Sequence, residues 1–187
     1  YYVVADEIGC RARSEIKNRK WTDVDLGYPG WVSLDAAHNK TGQPRVFPMT
    51  GRLRELLTAQ RQWVSLVEEG AGRIVPWVFC RPDGTPLGDP RKAWATATAR
   101  AGFGKLEGRT GPWSSARVPH DIRRTVLRRW RAWGEAMDVR KDLAGHDSDE
   151  THAGYTGGDE AGLVAFAERV DERRKAEAEK VVAIRKG

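Results

Sequence analysis

A chain of 187 residues and 20.9 kDa is one domain by length, and its 40% hydrophobic and 9% aromatic content is that of a folded protein, not of a disordered tail. No apolar run approaches the roughly 18 residues of a membrane span, no secretory signal opens the chain, and Cys10 and Cys80 fit neither a disulfide scaffold nor a paired-thiolate metal site. The net charge of +6, built from 23 Arg and 9 Lys against 26 acidic residues, favours a polyanionic partner, although over a domain of this size it is only a weak signal.

The chain opens on Tyr1-Tyr2-Val3-Val4-Ala5 with no initiator Met and enters an apolar pattern at once, so it reads as a piece of something longer. Tyr2, Val3, Ile8 and Ile16 mark one or two helices through Lys20, interrupted at Gly9. Residues 30–37 alternate as a half-buried strand, and residues 45–49 are its expected partner. Asn39-Lys40-Thr41-Gly42 between them is a turn by composition, which puts a lysine at a hairpin tip. Thr50 is an N-cap for a helix whose Leu53, Leu56, Leu57, Trp63, Val64 and Val67 recur at helical spacing and which ends near Gly70. Trp77-Val78-Phe79 followed by Arg81-Pro82-Asp83-Gly84 predicts a short strand and a turn, and Asp89 caps a helix to about Ala101.

After a glycine-rich loop over residues 102–117, Pro119 starts a helix that Gly134 ends. A further helix covers residues 136–143 and stops at Gly145, and Asp147 with Glu150 predicts a short helix ended by Gly157-Gly158. Asp159 caps the last helix, with an apolar stripe of Leu163, Phe166, Ala167 and Val170 ahead of a mixed-charge stretch. The expected class is α+β, mainly α-helical with a small antiparallel sheet. The eight tryptophans are expected in the core rather than as base-stacking platforms.

Six residues carry the chemistry: Arg11, Lys40, His120, Arg123, His146 and Tyr155. His120 and Arg123 lie three apart on a helix, so both can face one ligand. A guanidinium is planar, always charged and forks onto two oxygens, and two of them converging would neutralise a phosphodiester and the extra charge of its transition state. Tyrosine is a poor nucleophile at its free pKa of about 10 and needs nearby cations or a base. A lysine on a hairpin tip can swing in as general acid for a departing hydroxyl. Taken singly, each of these is an ordinary structural or surface residue; their joint order is what carries weight.

That order resembles the catalytic domain of the tyrosine recombinases, the phage integrase family. Gly9-Cys10-Arg11-Ala12-Arg13-Ser14-Glu15-Ile16, followed by Trp21-Thr22-Asp23-Val24-Asp25-Leu26, is similar to the segment around that family's first catalytic arginine. Asn39-Lys40-Thr41-Gly42-Gln43-Pro44-Arg45-Val46-Phe47-Pro48 resembles the lysine hairpin, and Pro119-His120-Asp121-Ile122-Arg123-Arg124-Thr125 the box of the second arginine. Leu143-Ala144-Gly145-His146 resembles the Leu-Gly-His element, and Tyr155 stands nine residues on, where the nucleophile belongs. Two departures are visible. Arg11 is four residues before Glu15 instead of three, with Arg13 the fallback, and Ala144 is inserted into the Leu-Gly-His pattern.

The resemblance implies a site-specific DNA recombinase or integrase fold and activity over residues 1–187, without the family's N-terminal DNA-clamping domain. It implies that Tyr155 attacks a scissile phosphate, Arg11 and Arg123 hold the non-bridging oxygens, His120 and His146 assist, and Lys40 protonates the leaving oxygen. Neither metal nor cofactor is expected. The implied partner is double-stranded DNA, with four protomers acting on two duplexes and a C-terminal segment, residues 159–187, docking either in cis or on a neighbour. The implied setting is bacterial or phage-encoded, cytoplasmic and nucleoid-associated. Arg124, Arg128, Arg129 and Arg131 either contact flanking phosphates or form a solvated face. His152 is a lesser candidate beside the nucleophile, and His38 a surface residue. A type IB topoisomerase-like nicking-closing enzyme and a non-catalytic DNA-binding module are the alternatives.

Overall fold

The computed structural model describes residues 1–35, 44–104, 117–145 and 160–186, with the side chains of 160, 161 and 180–186 excepted. Lys40, His146 and Tyr155, with His38, His152 and the expected helix after Asp147, lie outside the described residues.

Helix α1 (Tyr2–Ile8) ends where Gly9 takes the left-handed conformation, φ 61°. A Cβ on Gly9 would stand 3.1 Å from Trp130 and from Val126, so this glycine also sets how closely α1 approaches the helix it packs on. A five-residue π-helical turn, Ala12–Ile16, follows, and a 3₁₀ turn at Trp21–Asp23 leads into the sheet. The sheet is antiparallel and three-stranded in the order β1 (Val24–Asp25), β2 (Trp31–Leu34), β3 (Arg45–Pro48). In the expected hairpin Val32 pairs with Phe47 and Leu34 with Arg45. Strand β1 escapes sequence reading because two residues carry no periodicity.

Thr50 caps helix α2 (Gly51–Ala71) as its composition predicts, its Oγ1 accepting from the Leu53 amide at 3.1 Å. The strand expected at Trp77–Phe79 is not formed: Trp77 makes one isolated bridge to Lys20 and Cys80 one to Pro86. This segment instead packs Val78 and Phe79 into the core as irregular chain. Helix α3 (Arg91–Arg100) begins after Pro90, and Asp89 reaches forward to accept from the Arg91 amide. Helices α4 (His120–Ala132) and α5 (Met137–Ala144) follow, the latter stopped by Gly145 at φ 59°.

The last helix, α6 (Glu160–Lys186), buries Phe166, Ala167 and Val170 of its predicted stripe. Phe166 meets Trp130 edge to face with ring centroids 5.5 Å apart, Phe47 stacks on that tryptophan at 6.0 Å, and the two phenylalanines meet each other at 6.2 Å. Past Val170, α6 is held to its own body by polar contacts. Asp171 accepts from the Gly51 amide, Arg174 pairs with Glu7 at 2.9 Å, and Trp133 donates to Glu177.

One main core therefore joins α1, the hairpin, α2, α4, α5 and α6, and a lesser cluster of Val64, Val67, Val75 and Cys80 fills the far end of α2. Trp130 is the tryptophan that is fully buried among the described residues; Trp63 is exposed, and the expectation of a tryptophan-filled core holds only in part. Among the described residues no helix is long and apolar enough to cross a membrane.

Candidate active site

The site grows from the break after α1. Arg11 is extended (φ −70°, ψ 106°) and opens the π turn, whose defining bond runs from the Lys17 amide to the Ala12 carbonyl, 3.1 Å. Such single wide turns recur at functional positions, and here one lies within the box that carries one residue more than the usual pattern. Glu15, on the inner side of the turn, is fully buried and folds back on Arg11. It accepts from the Arg11 amide through Oε2 and from Arg11 Nη1 through Oε1, each at 2.7 Å. Arg45 of β3 adds a second cation to the same carboxylate, Nη2 to Oε1 at 2.8 Å. Burial alone would raise the Glu15 pKa; Arg45, then Arg11, reverses the sign and hold it below the ordinary 4.5.

Arg11 and His120 share one cavity of about 450 Å³, whose lining also includes Arg13, Ser14, Lys17 and Asn18. A smaller apolar hollow of about 190 Å³ adjoins it across Arg13 and His120, walled by Tyr1, Tyr2, Pro90 and Val118. His120 is the first residue of α4 and exposed. Partial desolvation, then the charges of Arg123, Arg124 and Arg11, lower its pKa from 6.5, so the imidazole is neutral at pH 7 and can accept a proton or a hydrogen bond. Arg13, the fallback for the first arginine, stands in the same cavity as Arg11, so the choice between them does not move the site. Lys17 and Asn18 are cavity residues that sequence reading missed; no spacing rule marks them, because they arrive there by the width of the π turn.

Arg123 behaves differently from the expectation of a shared His120/Arg123 face. It is 2% exposed and turned beneath the cavity, where Nη1 donates to the Gly9 carbonyl at 3.0 Å and Nη2 to the Ala144 carbonyl. Three residues along a helix leave an offset of about 60°, and α4 starts at the rim of the core. That offset puts position 120 in the cavity and position 123 under Gly9. Desolvation, then the nearby Arg11, lowers the Arg123 pKa from 12.5, which leaves it charged.

The four extra arginines also divide. Arg124, Arg128 and Arg131 are exposed along one side of α4, Arg124 paired with Asp121 at 3.4 Å. Arg129 points the other way and forks onto both oxygens of Asp6 at 3.2 and 3.3 Å, so its charge is spent inside the protein. Cys10, fully buried beside Glu15, has its thiol pushed up to about 12 by burial and is not a nucleophile. Among the described residues no group of three or more His, Cys, Asp or Glu is placed to hold a metal ion.

No protein-family model matches the sequence, and no curated protein does. The backbone is similar to that of a crystal structure of the XerH site-specific recombinase bound to its difH substrate in a pre-cleavage complex. The TM-score is 0.54 at 14% identity, over 95% of this chain and 43% of that one. This chain thus spans less than half of that recombinase, and the likeness establishes the fold.

Proposed function

We propose that this chain is the catalytic part of a site-specific DNA recombinase of the tyrosine class. The observation that carries the reading is the cavity shared by Arg11 and His120, with Arg123 and the Arg11–Glu15–Arg45 cluster beneath it, in a chain of recombinase-like fold. A bound phosphodiester would meet Arg11 directly and the field of the buried Arg123 and Arg45 from below. Arg13 and Lys17 are placed to take adjoining backbone phosphates.

In the proposed reaction Tyr155 Oη attacks phosphorus and the bond to O5′ breaks, giving a 3′-phosphotyrosyl ester and a free 5′-hydroxyl. The phenolic proton leaves to neutral His120 or to solvent, and Lys40 protonates the departing O5′. A 5′-hydroxyl from a partner strand then attacks the ester and restores tyrosine. The number of phosphoester bonds is conserved, so ATP is not required. Assembly of four protomers on two duplexes belongs to the same proposal, with the end of α6, which carries Val181, Val182 and Ile184, as the element offered to a neighbour.

The test is incubation with a pool of nicked duplexes of random sequence in the presence of chelator. A denaturant-stable protein–DNA adduct is expected from the wild type and not from Tyr155→Phe. Chasing the adduct with a strand bearing a free 5′-hydroxyl distinguishes strand transfer from the resealing of a topoisomerase-like enzyme. No adduct anywhere in the pool overturns the reading.

A further inference from the structure

Arg45 lies outside the six residues of the catalytic pattern and does not line the cavity, yet it bridges two of the elements beneath it. Its side chain is 7% exposed and turned inward from the start of β3. On one side Nη2 meets Glu15 Oε1 at 2.8 Å, the oxygen that also accepts from Arg11 Nη1. On the other, Nη1 donates to the Leu143 carbonyl in the last turn of α5 at 2.6 Å. Gly145 is pressed against the same guanidinium: a Cβ there would stand 2.7 Å from Arg45 Nε. Arg123 holds the next carbonyl, that of Ala144. Two buried guanidiniums therefore clamp consecutive carbonyls at the negative end of α5, groups that the helix itself leaves unpaired.

We propose that Arg45 is the positioning residue of this site, a single planar cation that ties Arg11, through Glu15, to the end of α5 from which the segment bearing His146 and Tyr155 departs. The inference rests on the recombinase reading for its consequence in catalysis. Its physical content is twofold. Glu15 fixes Arg11 with two bonds but also opposes its charge, and Arg45 cancels that carboxylate, leaving Arg11 a net cation toward the cavity. The guanidinium is wide enough to serve both partners at once, donating a directed hydrogen bond from Nη1 to the Leu143 carbonyl while Nη2 presents its charge to Glu15. The point charge of a lysine does not cover that span. Facing Glu15 are Arg11 from the π turn, Arg45 from β3, Arg123 from α4 and the Cys10 thiol, which donates to it. Removing Arg45 takes away the largest of the contributions that offset burial, so Glu15 takes up a proton at a higher pH than in the wild type and loosens its hold on Arg11.

Arg45→Met and Arg45→Lys, checked for folding by thermal melts, provide the test. Single-turnover adduct formation at saturating nicked duplex is expected to slow by on the order of a hundredfold in both, as for a catalytic group displaced by a fraction of an ångström to an ångström, with DNA affinity unchanged. The Met variant alone should gain a pH dependence on the acid side, which Lys corrects by restoring charge. In DNA-free protein, the Arg11 Nε–Hε resonance should follow the titration of Glu15 at a higher pH in Arg45→Met than in wild type. Wild-type rates in both variants overturn the proposal, as does an Arg11 resonance whose titration in Arg45→Met stays at the wild-type pH. Should the wild type form no adduct, the recombinase reading fails and the resonance alone decides the role of Arg45.

Discussion

Glu7 and Glu15 are equally buried, each 1% exposed, and each faces arginines, yet their surroundings push them in opposite directions. Glu7 sits among α1, α2 and α6 with Arg174 at 2.9 Å and Arg52 at 3.3 Å, and neither of its oxygens accepts a directed hydrogen bond. Burial outweighs both cations, and its pKa is raised above 4.5. Glu15 accepts a main-chain amide and an aligned guanidinium, and its pKa is lowered. Two cations near a buried carboxylate are therefore not enough to keep it ionised; at Glu15 the charge of Arg45 is joined by directed donors from Arg11, and at Glu7 no such donors are present. The first region is internal glue that docks α6, and it absorbs Arg129 through Asp6 as well. The second leaves cations over for a cavity.

The largest test of this contrast is stability. Glu15→Gln strands the buried Arg45 charge and should cost about 3 kcal/mol or more, read from urea unfolding. Glu7→Gln removes a carboxylate that burial already pushes toward its neutral form, and should cost clearly less; equal losses in the two variants would erase the distinction.

A second expectation concerns pH. The Glu15 contribution is present above 4.5 and disappears as pH falls through its lowered native value, whereas that of Glu7 is complete below 4.5 and disappears as pH rises through its raised native value. Glu15→Gln should thus flatten the acid side of the stability profile and Glu7→Gln the side above 4.5. Unfolding midpoints collected across that range decide it.

Within the cavity region, adduct formation should keep its rate down to below pH 6.5, because His120 stays neutral until its lowered pKa is reached; a pH–rate profile with an acid limb above 6.5 would remove His120 from the proton path. The smallest effects separate the arginines of α4. Arg129→Ala should lose about 0.5 kcal/mol of stability and leave the salt dependence of DNA binding alone. Arg128→Ala and Arg131→Ala should do the reverse, each reducing the slope of log affinity against log salt by about one.

Much of the fold was legible. Thr50, Gly134 and Gly145 end or begin helices where composition places them, and the stripe of α6 is buried as its spacing predicts. The misreadings have local causes. Trp77–Phe79 looks like a strand by residue type but finds no neighbouring strand to pair with beyond single bridges. That Arg123 lies on the buried side of α4 is not legible either, because a helical spacing of three gives a shared face but not which side of it the core covers. Arg45 stands inside the lysine-hairpin segment, but nothing in the residue pattern singles it out there; its importance lies in what surrounds it.

The chain's order of boxes, its helix caps and its turns are written in residues a few positions apart, and the sequence by itself determined them along with the mild cationic character. Which cation does what was decided only in three dimensions. Arg45 meets Leu143 across 98 positions, Arg123 meets Gly9 across 114 and Arg129 meets Asp6 across 123. An arginine's role depends on whether its fork ends on a carbonyl, a carboxylate or an open cavity, and those partners are brought together by packing of α1, α4, α5 and β3 around one core, not by any spacing along the chain.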